Sequence, residues 1–300
     1  MRESILRMVM YFDVFKHPLT IGDLERLVAP DQATALQGHL MELQAAGLVA
    51  CTGKYWHRPD RHDWASRRDQ RARWAEQRWS AAQKASLVLA QLPFVRGVLI
   101  TGSLSKSSTT LDGDVDFLLL CAPGRVWSLK TITHLGRRPM PNALRELFCT
   151  NYILATDAMH LESRNLFTAI ELATAVPMYG PEACASFIQA NWWAEQFVPG
   201  LSWSLQRAQQ ARSLPGKPWL KPVGKMLPDG MKHRLERQAL DMWDRYWNRK
   251  YNWLDERDRA QRFQRQPHVA TNHLHDFQDH VLREVAQRLE SIGQHEAVRL

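Results

Sequence analysis

The sequence predicts an α+β fold in which a small mixed sheet is flanked by helices. Three patterns support this prediction: a helical N-terminal stretch ending in two short strands, a strand–loop–strand pattern after Phe94, and a tryptophan-rich helical stretch beyond about Gly180. Of the 300 residues, 45% are apolar and 23% charged, as in globular proteins. We expect four units: an N-terminal unit at 1–62, a connecting helix at 63–93, a central unit at 94–180 and a helical C-terminal region at 181–300.

The composition excludes several classes of protein. No apolar run approaches the ~20 residues that cross a bilayer, and Arg7 and Asp13 interrupt the apolar N-terminal stretch, unlike a signal peptide. The four cysteines are too widely separated for a zinc knuckle or a disulfide framework, so we expect a reducing, cytoplasmic location. The net charge of +8 favours contact with polyanions such as nucleotides or nucleic acid.

The first sixty residues predict three helices followed by a hairpin. Thr20, three residues before Asp23, forms a capping box that begins the second helix. A third helix is predicted from about Ala33 to Ala46, and short strands follow on either side of Gly53. The first helix is predicted from apolar residues that share one face: Ile5, Met8, Val9 and Phe12.

This order of elements resembles a winged helix-turn-helix module, most clearly in the stretch from Leu40 to Val49. The resemblance covers about a fifth of the chain. It implies a recognition helix that either enters a DNA major groove or serves protein contact or substrate positioning. The polar residues of that helix include no Lys or Arg, and this lack of positive charge favours the second role.

Residues 64 to 92 predict a long helix that ends before Pro93. Its first half mixes arginine with tryptophan, and two interpretations follow. The side chains either stack on and neutralise a nucleic-acid strand, or the helix is a connector whose tryptophans pack on the core while its arginines stay solvated. The second is favoured because solvated charged faces are common.

The most informative pattern lies in the central unit. A short apolar strand runs into Gly102 and Ser103, and Asp114 and Asp116 then open a second apolar strand. Side chains alternate along a strand, so we expect the two carboxylates to point to the same face. Like charges at this spacing raise each other's pKa unless a cation lies beside them, and oxygen ligands favour Mg²⁺ or Mn²⁺. Gly102 permits close backbone approach, and Ser103 can donate a hydrogen bond to a phosphate.

Residues 98–120, VLITGSLSKSSTTLDGDVDFLLL, resemble the nucleotidyltransferase superfamily that includes DNA polymerase beta. The resemblance implies a nucleotidyltransferase core in which Gly102 and Ser103 hold a nucleoside triphosphate such as ATP and Asp114 and Asp116 bind the metal. Lys106, in the following loop, is a candidate phosphate contact. The alternative is a surface turn before a buried strand, but an unpaired carboxylate at Asp116 is costly within an apolar strand.

Members of this superfamily usually carry a third carboxylate on a later strand. The best candidate strand, Leu147 to Leu154, has Asn151 near its centre and no acid. An amide is a weaker metal ligand than a carboxylate and is no general base at neutral pH. Glu146 and Asp157, on either side of the strand, are substitutes. Residues Asn165 to Pro177 predict an amphipathic helix, on which Glu171 either faces the active site or takes the solvated position that is the default.

We therefore expect a metal-dependent nucleotidyltransferase that moves a nucleoside monophosphate from a nucleoside triphosphate to an acceptor that the sequence does not specify. The missing third carboxylate supports a rival from a different class. In that alternative the protein is a catalytically degenerate, nucleotide-binding regulator with a winged helix that binds DNA or protein. Neither hypothesis involves a membrane.

Overall fold

The computed structural model describes residues 1–300 except 31, 143–144, 146, 215–225, 227, 256–262, 264, 272–276 and 294–300. The fold is α+β, with a mixed sheet and helices on both of its faces, as the sequence predicts. Within the described ranges, every helix is too short or too polar to cross a membrane. The four cysteines form no disulfide.

The N-terminal elements occur in the predicted order. The capping box is present: the Asp23 N–H donates to Thr20 Oγ1 at 3.1 Å, and the Thr20 N–H donates to Asp23 Oδ2 at 3.0 Å. The three strands form one antiparallel sheet in the order β1-β3-β2. The elements are α1 (Arg2–Val14), β1 (Leu19–Thr20), α2 (Ile21–Val28), α3 (Ala33–Ala45), β2 (Ala50–Thr52) and β3 (Tyr55–His57).

The second sheet has the order β7-β4-β5-β6-β9-β8, in which β5 and β6 are parallel and the other pairs antiparallel. Two of its strands come from the C-terminal region that was expected to be helical. Each has only two or three residues, too few to show an alternating pattern in the sequence. The strands are β4 (Val95–Thr101), β5 (Asp116–Cys121), β6 (Cys149–Ala155), β7 (Val176–Tyr179), β8 (Arg265–Gln266) and β9 (Val269–Thr271).

Helices cover both faces of this sheet. The predicted long helix is present as α4, and the predicted helix before Pro177 ends at Thr174 because the chain continues into β7. A 3-10 helix, Trp192–Gln196, links two of the helices. The helices are α4 (Trp64–Gln91), α5 (Gly102–Ser105), α6 (Val126–Arg137), α7 (Leu166–Thr174), α8 (Pro181–Ala190), α9 (Leu201–Gln209), α10 (Asp229–Lys250) and α11 (Phe277–Glu290).

Side chains that alternate along the strands point to opposite faces of the sheet and belong to two hydrophobic cores. Leu118 and Leu120 face a core shared with α1, α7, α8 and α11, whereas Phe117 and Leu119 face a core shared with α4, α6 and α10. Asp116 lies two residues before Leu118, so it shares the face covered by α1 and α7. The N-terminal elements therefore pack against the sheet on the same side as the candidate site.

Candidate active site

Asp116 is the first residue of β5 and pairs with Thr101, the last residue of β4. The next residue, Gly102, has a φ of +68°, and a Cβ atom added there would overlap the Asp116 carboxylate. Both the backbone conformation and the close approach therefore require glycine at this position. The tight turn brings the Gly-Ser segment into direct contact with one of the predicted metal ligands.

Burial raises the pKa of Asp116 to about 6, and the negative charges of Asp114 and Glu171 act in the same direction. A hydrogen bond from Asn151 and the charge of Lys106 oppose the rise only in part. The Asn151 hydrogen bond and the Lys106 charge thus do not fully offset the negative charges around the Asp116 carboxylate. Such an excess is typical of sites that hold a cation.

Asp114 lies outside the strand, contrary to the expectation. The last residue of β4, Thr101, pairs with Asp116. The chain then turns at Gly102, so β4 has no residue left to pair with Asp114, and β5 begins at Asp116. The same-face argument therefore does not apply to Asp114, which is an exposed loop residue. Its carboxylate is nevertheless close enough to raise the pKa of Asp116.

Asn151 occupies the position next to Asp116 on the neighbouring strand. Its Nδ2 donates to Asp116 Oδ1 at 2.8 Å. Asp157 follows the opposite end of β6, beside Cys121, and is too far away to replace it. Glu146 lies outside the described residues.

Glu171 on α7 faces the site, so its expected solvated position is wrong. Lys106 Nζ contacts both Glu171 carboxylate oxygens, at 2.8 and 2.9 Å, and also the Gly102 carbonyl oxygen at 3.0 Å. Helix packing in the tertiary fold thus supplies an acid that β6 lacks. A signal was present in the sequence, because Glu171 is the one charged residue of the helix LFTAIELAT.

Arginines of α4 hold the loop between the Gly-Ser turn and the aspartates. Arg68, which is 4% exposed, donates to the Ser107 carbonyl oxygen at 2.7 Å and the Lys106 carbonyl oxygen at 3.4 Å. Arg78 Nε donates to the Leu111 carbonyl oxygen at 3.2 Å. The expectation that the arginines of this helix are solvated is therefore wrong for Arg68, whereas Arg67 is exposed and Trp64 buried as predicted. Nothing in the sequence distinguishes Arg68 from its neighbouring arginines.

These groups line one cavity of about 760 Å³. It is within the usual size range of small-molecule sites, ~300–1,000 Å³. Gly102, Ser103, Lys106, Asp116 and Asn151 all line it, whereas Asp114 does not. The structure therefore brings together five of the six residues that the sequence singled out.

Further groups in the cavity suit an anion. The loop contributes the hydroxyls of Ser108, Thr109 and Thr110, and α4 contributes Arg71. His17 also lines the cavity; burial lowers its pKa well below the usual value, and the charges of Arg68, Lys106 and Arg71 lower it further. Its imidazole is consequently neutral and lies among cationic side chains. No motif in the sequence marks His17 or Arg71 as a residue of this site.

The protein offers at most two carboxylates to a hard divalent cation at this site. Asp114 and Asp116 supply carboxylate oxygens, but no group of three or more His, Cys, Asp and Glu in the described part of the chain is placed to hold a metal ion. Mg²⁺ is commonly bound by one or two carboxylates, with water and substrate phosphates as the remaining ligands. The residues present therefore fit such an ion together with a phosphate-bearing ligand.

The fold and the site define an α+β protein with a cavity that is lined by acidic and hydroxyl side chains. Comparison of the chain with protein-family models, curated proteins and solved structures gives no match. The chemistry of the cavity therefore carries the functional argument.

Proposed function

We propose that this protein is a metal-dependent nucleotidyltransferase that moves a nucleoside monophosphate from a nucleoside triphosphate to an acceptor hydroxyl. One observation carries the proposal. The half-buried carboxylate of Asp116, with its raised pKa, lies against Gly102 and lines a cavity that also contains hydroxyl and cationic side chains. The resemblance of residues 98–120 to the polymerase beta superfamily supports the same reaction.

The triphosphate is assigned to the turn and the loop that follows it. The hydroxyls of Ser103, Ser108 and Thr109 would donate to phosphate oxygens, and Lys106 and Arg71 would neutralise their charge. Gly102 lets the phosphates approach the backbone closely. The Arg68 hydrogen bonds to the loop carbonyls would keep these donors in place.

Asp114 and Asp116 would hold Mg²⁺ or Mn²⁺. When bound, such a cation neutralises charge that develops on the phosphate oxygens during transfer. The excess negative charge around Asp116 is the feature that a cation would relieve.

The transfer step follows from these assignments. The acceptor oxygen forms a bond to the α-phosphorus, while the bond from that phosphorus to the bridging oxygen breaks and pyrophosphate leaves with the electron pair. Glu171 would receive the acceptor proton, in place of the acid missing from β6. Lys106, which pairs with Glu171, would turn to the phosphates when the substrate binds and so free the carboxylate.

A label-transfer assay tests the proposal. The four nucleoside triphosphates, labelled at the α-phosphate, are incubated with the purified protein, Mg²⁺ and cell extract. We expect labelled product, and Asp116→Ala should lower its rate by about a hundredfold or more because Asp116 is assigned to the metal. Asp112→Ala removes an exposed acid of the same loop and should have no effect. Equal transfer by both variants would contradict the proposal.

A second candidate is a nucleotide-binding regulator without turnover. Two observations favour it: Asn151 stands where an acid was expected, and Lys106 already pairs with Glu171. Such a regulator would gain thermal stability from a nucleoside triphosphate with Mg²⁺. It would release no pyrophosphate, either alone or with extract, and this measurement separates the two candidates.

A further inference from the structure

Three aromatic rings line the same cavity as the polar groups, and we call the part of the wall that they form the aromatic end. Phe15 follows α1, Phe167 lies on α7 and Phe277 begins α11; all three line the cavity. The ring centroids of Phe15 and Phe277 are 5.7 Å apart. Phe277 is 47% exposed, although it lies against a cavity. Three elements far apart in the chain thus present apolar rings to one space.

The sheet edge places the aromatic end relative to the proposed phosphate site. β4 ends in the Gly-Ser turn, β5 begins at Asp116, and β6 carries Asn151 and Tyr152 next to it. β9 follows, with Thr271 opposite Tyr152, and Phe277 lies a few residues further along the chain. Along this edge, the proposed phosphate-binding turn follows β4, Asp116 begins the neighbouring β5, and the chain leaves β9, two strands beyond β5, before it reaches Phe277.

In-line displacement requires the acceptor to approach the α-phosphorus from the side opposite the leaving pyrophosphate. If the pyrophosphate lies over the β4 turn, the attacking oxygen comes from the β6 and β9 side. We infer that the aromatic end is the acceptor site, and that it takes a small neutral or cationic alcohol with a flat, apolar ring. This inference rests on the proposed nucleotidyltransferase function.

Charge argues against a nucleic-acid acceptor. Among the described residues that line the cavity, Asp116, Glu162, Glu171 and Asp279 are acidic, whereas Arg71 and Lys106 are the permanently cationic ones. Binding of nucleic acid depends on neutralising its phosphates with Lys and Arg. The chain as a whole carries a net charge of +8, but the described residues that line the cavity include more acidic than permanently cationic side chains. Lys106 and Arg71 are assigned to the triphosphate, so the described lining residues leave no further Lys or Arg for a nucleic-acid backbone, and the apolar rings suit a compact acceptor without phosphate groups.

The acceptor is tested by offering three sources separately to the full-length protein: the small-molecule ultrafiltrate of a cell extract, its total RNA, and its protein fraction. Nucleoside triphosphates labelled at the α-phosphate and Mg²⁺ are present in each reaction. We expect label on a small product from the ultrafiltrate. Label on RNA or on protein instead would overturn the inference.

Variants of the aromatic end provide the second measurement. Phe15→Ala and Phe277→Ala should lower transfer to the ultrafiltrate acceptor by about tenfold or more, because each removes ring contacts. The rise in melting temperature with MgATP should be retained by both variants, because the nucleotide is assigned to the Gly102–Ser103 turn. Trp253→Ala, at a 68% exposed position outside the cavity, is the matched control and should transfer normally.

Two results would contradict the inference in different ways. If both Phe variants lose the MgATP-induced rise in melting temperature, the aromatic end holds the nucleotide and not the acceptor. If wild-type protein releases no pyrophosphate and labels nothing, the nucleotidyltransferase proposal itself fails. Normal transfer by both Phe variants also overturns the acceptor site, while it leaves the proposed reaction intact.

Discussion

At the scale of single residues, Gly102 and Asp116 depend on each other. Gly102 adopts a positive φ, and its lack of a side chain leaves the space that the Asp116 carboxylate occupies. A glycine in the left-handed region is replaceable elsewhere at a modest cost, but here any side chain displaces the carboxylate. The position thus links backbone geometry to the chemistry of the site.

Gly102→Ala should abolish nucleotidyl transfer, with a loss of about a hundredfold or more, because the new methyl group displaces Asp116. Gly124 has a similar φ of +60° and no neighbour within 4 Å of an added Cβ atom, so Gly124→Ala is the matched control. The control should lose about 1 kcal/mol of unfolding free energy and keep its activity. Transfer rates and urea denaturation measure both effects, and an active Gly102→Ala protein would show that the contact is unimportant.

Lys130, which is buried beneath the sheet, should make stability depend on pH. Burial lowers its pKa from 10.5 to about 8. Between these values the unfolded chain keeps its proton and the folded protein loses it, so the unfolding free energy rises with pH, by about 3 kcal/mol at most. Lys130→Met should lack this rise, whereas the exposed Lys84→Met should retain it. Parallel urea-denaturation profiles for wild type and Lys130→Met would refute the assignment.

At the scale of elements, α4 does more than connect two parts of the chain. Its arginines bind backbone carbonyls of the loop that carries Lys106 and Ser107, and Arg71 donates to the Phe15 carbonyl oxygen at 3.3 Å. One helix therefore contacts the proposed phosphate loop and the N-terminal elements. These contacts form because guanidinium groups donate hydrogen bonds to carbonyl oxygens that have no partner within the loop's own backbone.

Arg68→Met should loosen this loop. Unpaired loop carbonyls are expected to cost about 1–3 kcal/mol of stability, and misplaced phosphate donors to lower transfer by about tenfold to a hundredfold. Arg67→Met removes an exposed arginine from the adjacent position and should change stability by less than about 0.5 kcal/mol. Melting temperature and transfer rate report the two effects. If Arg68→Met and Arg67→Met have the same melting temperature and transfer rate, Arg68 does not stabilise the loop.

At the scale of the whole molecule, α1 belongs to the central core. Residues 5–13 are buried at every position, because the helix lies between the N-terminal elements and α11. Asp13 is part of this contact: its Oδ2 accepts from Arg288 Nε at 2.8 Å, and Arg58 and Arg61 lie within 4 Å. The N-terminal segment therefore shares a core with the rest of the chain, and Phe12 of α1, with Phe15 and His17 just after it, contributes to the wall of the cavity.

Asp13→Ala should lower the unfolding free energy by on the order of 2 kcal/mol, since it leaves partly buried arginines without their shared carboxylate. Glu284 also pairs with Arg288 but is more exposed than Asp13, and Glu284→Ala should lower the unfolding free energy less than Asp13→Ala does. The Asp13→Ala protein should still unfold in a single transition, because α1 and α11 share one core. Separate melting of an N-terminal unit would contradict that integration.

The sequence alone determined the local features: the helices, the capping box at Thr20, the hairpin around Gly53 and the apolar strands beside Gly102 and Asp116. Local structure depends on periodicity, capping and glycine conformation, which are properties of neighbouring residues. Tertiary structure alone decided which distant groups meet. Glu171 pairs with Lys106 across 65 residues, Arg68 bonds a loop 39 residues away, and β9 joins β6 although it has only three residues. Such contacts depend on how helices pack on the sheet, and no local pattern specifies that packing.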